Sequence, residues 1–410
     1  MRSRESSNHT HALLAISLAL FSVSSAWAGG KYKVLHAFTG GRDGGGLWGS
    51  MVLDTKGNLY GTTSGGGTKG SGTVFQLTPG SNGKWSETIL HNFPSSADDG
   101  WAPTSSLALD AEDSLYGTAA TGGEHHSGIA FELAHGTWAE SVLYSFCAKP
   151  KCSDGGSPYA GLVMDESGNL FGTGGAAFEL SPGSDGWSET VLHDFTCKNN
   201  YDGCEPFAGV VLDSVGNVYG TTQHGGGSQN CGGGCGTVYE VSPTPDGKRK
   251  ESILHKFDVH PGDGAFPGVG ALVLDSAGRL YGTTDVGGAT GNGTIYRLTP
   301  QSGGHWKETI LYSFKGGAVG QEPSAGVVMD KAGNLYGTTI AGGSACGCGV
   351  VYKLAPQADG KWKYTLLHTF VGSDGAQPDA NLILDGKGNL YGTTATGGAG
   401  GAGVAFELTP

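Results

Sequence analysis

The chain has 410 residues, a net charge of −13, 77 glycines and only 15% charged residues. Lacking a basic patch or a Lys/Arg run, it is not built to hold nucleic acid, and glycine without a G-x-y period excludes collagen. The glycines fall among short β-branched and aromatic runs, which is the pattern of many tight turns in an all-β chain.

Residues 1–28 read as an export signal. Arg2 and Arg4 precede an apolar core from Ala12 to Val23, and Ala26-Trp27-Ala28 forms an A-x-A cleavage site. The core is too short to span a bilayer. The mature chain, 29–410, is therefore expected outside the cytoplasm, secreted or periplasmic. No cysteine follows the cleavage site for lipid attachment, and no later stretch reaches membrane length.

Next comes a strand-like run, Lys31 to Phe38, and then seven similar units. The aromatic residue of an LYGTT-like segment recurs at Tyr60, Tyr116, Phe171, Tyr219, Tyr281, Tyr336 and Tyr391. Each unit holds four strand-like runs, a to d. Run a ends in an aspartate: Asp54, Asp110, Asp165, Asp213, Asp275, Asp330 and Asp385. Run b is the LYGTT segment, run c is the TVFQL type (Thr73 to Leu77), and run d is the ILHNF type ending at Phe93. Between a and b, six units place a glycine such as Gly57 where a tight hairpin needs a left-handed residue. The second unit places Asp113 there, one of the few other types that tolerate that conformation.

Four runs per unit predict one blade per unit. The units span 47–93, 103–146, 158–195, 206–257, 267–314, 323–370 and 378–408. The last lacks run d, and the 31–38 segment resembles one. Together they predict one seven-bladed β-propeller over 29–410, closed by the N-terminal strand. An open solenoid gains nothing from such an offset.

The repeat DGxxPxAxLxxD–x–GNLYGTT–xxGG–GTVFxL–ETVLHxF resembles the GloVer (Gloeobacter/Verrucomicrobia) tandem repeat of exported bacterial proteins. That resemblance covers all seven units and implies no particular chemistry. It also implies that a C-terminal sorting anchor is common; this sequence ends at Pro410 inside a unit, which favours a free exported protein.

With a as the inner strand, the d–a and b–c loops share one face, the upper one. All eight cysteines fall in those loops as close pairs: Cys147/Cys152, Cys197/Cys204, Cys231/Cys235 and Cys346/Cys348. In an exported chain these read as local disulfides, and their spacings match no zinc pattern. The aspartates ending run a read as turn residues. Those of the d–a loops (Asp43, Asp99, Asp154, Asp202, Asp263, Asp374) read as turns too, with a calcium-collecting rim as the alternative. One acid per blade is a wide spacing for a compact calcium cage. No other cofactor is predicted. The run-d histidines (His36, His91, His193, His255, His368) sit on outer strands, one per blade, and read as scaffold.

Positions that vary between units are freer to serve function. One place at the channel mouth reads Trp48, Thr104, Tyr159, Phe207, Gly268, Ser324 and Asp379 around the ring. Unit 3 has almost no b–c loop, while unit 2 carries His125-His126 and unit 4 a loop from Gln223 to Cys235. A groove floored by Tyr159 and Phe207 is expected there, with Trp48, His125 and His126 as further ligand-binding candidates. No catalytic residue is identified. The expected function is a binding or interaction module whose partner is a glycan, a small molecule or an envelope protein. The alternative is a hydrolase, lyase or lactonase at the channel mouth.

Overall fold

The repeated D-x-x-G-N segment closes a tight hairpin by local hydrogen bonds. In the first unit, Asp54 accepts hydrogen bonds from the Lys56 and Asn58 amides, both at 2.8 Å, from Asn58 Nδ2 at 2.7 Å and from the Tyr60 hydroxyl at 3.1 Å. Gly57 adopts φ 88°, and Asp113 replaces it in the second unit at φ 66°. These facts come from a computed structural model that describes residues 31–94, 99–197, 202–260 and 262–410. The export signal expected at 1–28 lies outside the described residues.

Strand b, such as Leu59–Thr63, is buried throughout. Its glycine has a packing reason. A Cβ on Gly61 would stand 2.6 Å from the Phe75 ring of strand c, and one on Gly392 would stand 2.5 Å from the Phe406 ring. The missing side chain lets the aromatic ring lie across the neighbouring strand.

Each unit forms a four-stranded antiparallel blade in the order a, b, c, d, and seven blades make the propeller. The seventh is completed by Lys31–Ala37, which pairs antiparallel with Val404–Thr409. The fifth gains an additional upper-face strand, Gly264–Pro267, against a lengthened strand b, Leu280–Gly287.

Blades are joined by a ring of aromatic pairs. The phenylalanine closing each strand d meets the aromatic residue of strand c in the next blade, with ring centroids 4.8–5.5 Å apart. Phe38, Phe75, Phe93 and Phe131 are among the fully buried members. Each such burial is worth roughly 2–3 kcal/mol, so hydrophobic contact between blades carries much of the stability. No helix among the described residues is long and apolar enough to cross a membrane.

Candidate functional site at the channel mouth

Two repeated features hold the upper mouth in place. The first is a threonine ladder. Thr62 donates to the Ser105 carbonyl at 2.9 Å, Thr173 to Ala208 at 2.9 Å, Thr283 to Ala325 at 2.9 Å and Thr338 to Pro378 at 2.8 Å. Each bond runs from strand b of one blade to the entry of strand a in the next. Thr393 makes the same bond to Gly49 across the junction of the last and first blades. Sequence reasoning misses this role, although the threonine recurs in every LYGTT segment.

The second is the proline of the DGxxP motif. The residue before it adopts φ near +55°, as at Ala102 and Gln377, and gives its amide to the preceding blade. The proline ring rests on a glycine there: a Cβ on Gly72 would stand 2.6 Å from Pro103. DGxxP is thus an inter-blade clasp.

In six of the seven blades the residue six before the strand-a aspartate reaches the channel mouth; in blade 6 that residue, Ser324, is buried and does not line it. Trp48, Thr104, Tyr159, Phe207 and Asp379 line a cavity of about 670 Å³. Blade 5 differs from the sequence reading. It has one residue more between Pro267 and Asp275 than blade 4 has between Pro206 and Asp213. Val269, and not Gly268, therefore lines the cavity. Tyr159 and Phe207 pack edge to face at 5.6 Å, and Trp48 and Tyr159 remain nearly half exposed. The turn over blade 3 is short: strand b ends at Thr173 and strand c begins at Ala176. His125 and His126 do not line this cavity; they lie in an exposed turn where the His126 amide bonds the Gly123 carbonyl.

The opposite side of the mouth is polar. Asn381 accepts the Gly326 amide at 2.7 Å. Asp379 has a buried carboxylate oxygen without a hydrogen-bond partner, and burial pushes its pKa up to about 6. Next to it, Asp285 is pushed up to about 7, first by burial and then by the charges of Asp379 and Glu322. Asp285 and Glu322 line a second cavity of about 380 Å³ with His224, whose Nδ1 lies 3.0 Å from Glu205. Protonatable carboxyls thus separate two adjoining cavities on the upper face.

All four expected disulfides form: Cys147–Cys152, Cys197–Cys204, Cys231–Cys235 and Cys346–Cys348, with Cα atoms 4.1, 5.0, 5.2 and 5.2 Å apart. Within those upper-face loops the cysteines are held in different ways, and Cys231, Cys235 and Cys348 are buried. Cys152 ends a single 3-10 turn, Pro150–Cys152, whose proline pre-sets the first backbone angle. Cys204 belongs to a short strand, Gly203–Cys204, because the d–a loop runs antiparallel beside the b–c segment His224–Gly225. Cys348 is buried with Val351 and Phe370, just ahead of strand c at Val350–Pro356, and packs as a small apolar residue. None of the eight cysteines lines either cavity, so the bridges brace the upper face without entering the candidate site.

The d–a aspartates bond their own turns, as Asp263 does with the Asp258 and Gly264 amides at 3.0 and 2.7 Å. Several also meet the strand-d histidines: His193 Nε2 lies 3.2 Å from Asp202, and His368 Nε2 lies 3.0 Å from Asp374.

The fold and this repeated stitching define a seven-bladed β-propeller built from a single tandem repeat. The Gloeobacter/Verrucomicrobia repeat matches residues 19–233, 173–309 and 228–410, and the chain belongs to that repeat family. Among solved structures it is similar to a putative 6-phosphogluconolactonase from Bacteroides fragilis. Identity is 15%, with a TM-score of 0.51, over 82% of this chain and 86% of that one. It is also similar to PorZ, a surface component of the type-IX secretion system of Porphyromonas gingivalis. There the identity is 15% and the TM-score 0.52, over 88% of this chain but only 46% of PorZ. At such identities the likeness shows the fold alone. No curated protein matches in sequence.

Proposed function

We propose that this propeller is an extracytoplasmic binding protein that takes a glycan at its upper channel mouth. The observation that carries the reading is the two-sided cavity. Tyr159 and Phe207 of blades 3 and 4 offer aromatic faces across the mouth from Asp379 and Asn381 of blade 7, and Trp48 of neighbouring blade 1 stands beside the polar pair. Sugar rings present apolar faces and hydroxyl edges, so they suit aromatic walls combined with a few fixed polar groups. The scaffold needs no aromatic residue at these positions, because other blades carry Thr104, Val269 and Ser324 there. Four disulfides support an oxidising compartment outside the cytoplasm.

A second reading has one observation in its favour. Asp285 and Asp379 are carboxyls held protonatable near neutral pH, as general acids are. A lactonase or hydrolase could use them, and the propeller fold hosts both binding proteins and enzymes. The test is a thermal-shift screen of the mature chain against soluble maltohexaose, cellohexaose and chitohexaose. The binding reading expects a higher melting temperature with at least one. Turnover of a chromogenic lactone or glycoside, lost in Asp379→Asn, would favour the enzyme.

A further inference from the structure

Strand d changes face partway along. In blade 4, Ile253 lies opposite Tyr239 and His255 opposite Val238, so Leu254 is an extra, bulged residue. All seven blades carry the bulge at this place. A one-residue slip turns the later side chains to the other side. The glutamate early in strand d therefore faces the preceding blade, and the histidine four residues on faces the following one.

This brings three donors together at blade interfaces. Between blades 4 and 5, His255 Nε2 lies 3.4 Å from Asp263 Oδ1 and 3.9 Å from Glu308 Oε1. Between blades 3 and 4 the trio is His193, Asp202 and Glu251, and between blades 1 and 2 it is His91, Asp99 and Glu140. In each trio one donor atom from every residue lies within 4.8 Å of the other two. Two ligands at about 2.1 Å from a tetrahedral zinc ion are about 3.4 Å apart. The separations of 3.2 Å for His193–Asp202 and 3.2 Å for His91–Glu140 fit that spacing.

A second observation points to a cation. Glu140, Glu251 and Glu308 each keep a buried oxygen without a hydrogen-bond partner. At the equivalent interface of blades 2 and 3 the histidine is replaced by Tyr144, and there the Lys149 ammonium sits on Glu189, whose side chain is fully buried. The chain supplies its own cation where the nitrogen ligand is missing. Where a tyrosine stands in place of the glutamate the trio is broken: Tyr364 stacks on Tyr312 at 4.6 Å, and Tyr32 stacks at 3.9 Å on His368, which keeps only Asp374 at 3.0 Å.

We propose that the trios His91–Asp99–Glu140, His193–Asp202–Glu251 and His255–Asp263–Glu308 are zinc sites that join neighbouring blades, with water as the fourth ligand. Each trio offers one imidazole nitrogen and two carboxyl groups in a half-buried cleft, where a divalent ion would neutralise the two carboxylates. A nitrogen ligand favours zinc over calcium.

The test titrates chelator-stripped mature protein with zinc alone, by calorimetry and by metal analysis after gel filtration. Three or more zinc ions per chain are expected, with a higher melting temperature that a chelator reverses. Glu140→Tyr, Glu251→Tyr and Glu308→Tyr copy the Tyr32 and Tyr364 interfaces that this fold already holds, and each should remove one zinc. Glu308→Gln, which keeps size and shape, should do the same if the tyrosine variant does not fold. Fewer than three zinc ions per wild-type chain, a count that no variant lowers, or displacement by millimolar calcium would each overturn the proposal.

Discussion

At the lower face, every a–b hairpin is built alike: an aspartate collects the amides of its own turn, as Asp54 and Asp330 do. At the upper mouth, only six residues earlier in each unit, the side chains run from Trp48 through Thr104 to Asp379. The hairpin side chain bonds within its own blade, so each blade has to solve the same local problem. The mouth side chain projects into a shared space that the threonine ladder and proline clasp have already fixed. Its identity is free of the fold. Repetition marks scaffold here, and departure from repetition marks the candidate site.

Substitution at the lower face should therefore be the most damaging. Asp330 accepts from the Ala332 and Asn334 amides, Asn334 Nδ2 and the Tyr336 hydroxyl. Asp330→Ala should cost about 2–4 kcal/mol in denaturant unfolding. Burial alone would raise the Asp330 pKa, but the bonds from Asn334, Tyr336 and Ala332 prevail and hold it below the ordinary value. This contribution is present above the unfolded pKa near ~3.9 and is lost as pH falls through the lower folded value. The gap between wild type and variant should close in that acidic window.

The mouth carboxyls should behave in the opposite way. The folded pKa of Asp285 is raised to about 7, so the native chain binds the extra proton and stability falls as pH rises from about 4 towards 7. Asp285→Asn should gain on the order of 1–2 kcal/mol over wild type at pH 8 and little at pH 4, read from thermal melts across that range. A variant equally stable at both pH values would remove the contrast between the two faces. The smallest effect is expected in the ladder between them. Thr338→Val leaves the Pro378 carbonyl without its partner and should cost about 1 kcal/mol.

Legibility in the sequence follows how local each interaction is. The hairpins, the left-handed Asp113 and the four disulfides lie within a few residues of their partners and are readable from spacing. The strand at Cys204 and the burial of Cys348 are not, because they depend on what the neighbouring segment and blade supply. The ring order is readable because the strand at 31–38 matches run d. The lining of blade 5 is misassigned to Gly268 when counted from Pro267, which overlooks the extra residue that counting back from Asp275 reveals. His255 and Glu308 escape association, because they come from different blades and meet only through the bulge at Leu254. Simple alternation along a strand would put residues four apart, such as Glu308 and Tyr312, on one face.

The most direct measurement is calorimetric titration of wild type and of Trp48→Ala/Tyr159→Ala with maltohexaose, cellohexaose and chitohexaose, alongside thermal melts of both proteins. The account predicts binding by wild type to at least one of the three, a loss of about tenfold or more in affinity in the double variant, and nearly unchanged melting of the free proteins. Equal affinity in the two proteins, or no binding of any of the three by wild type, would contradict a glycan site at the aromatic mouth.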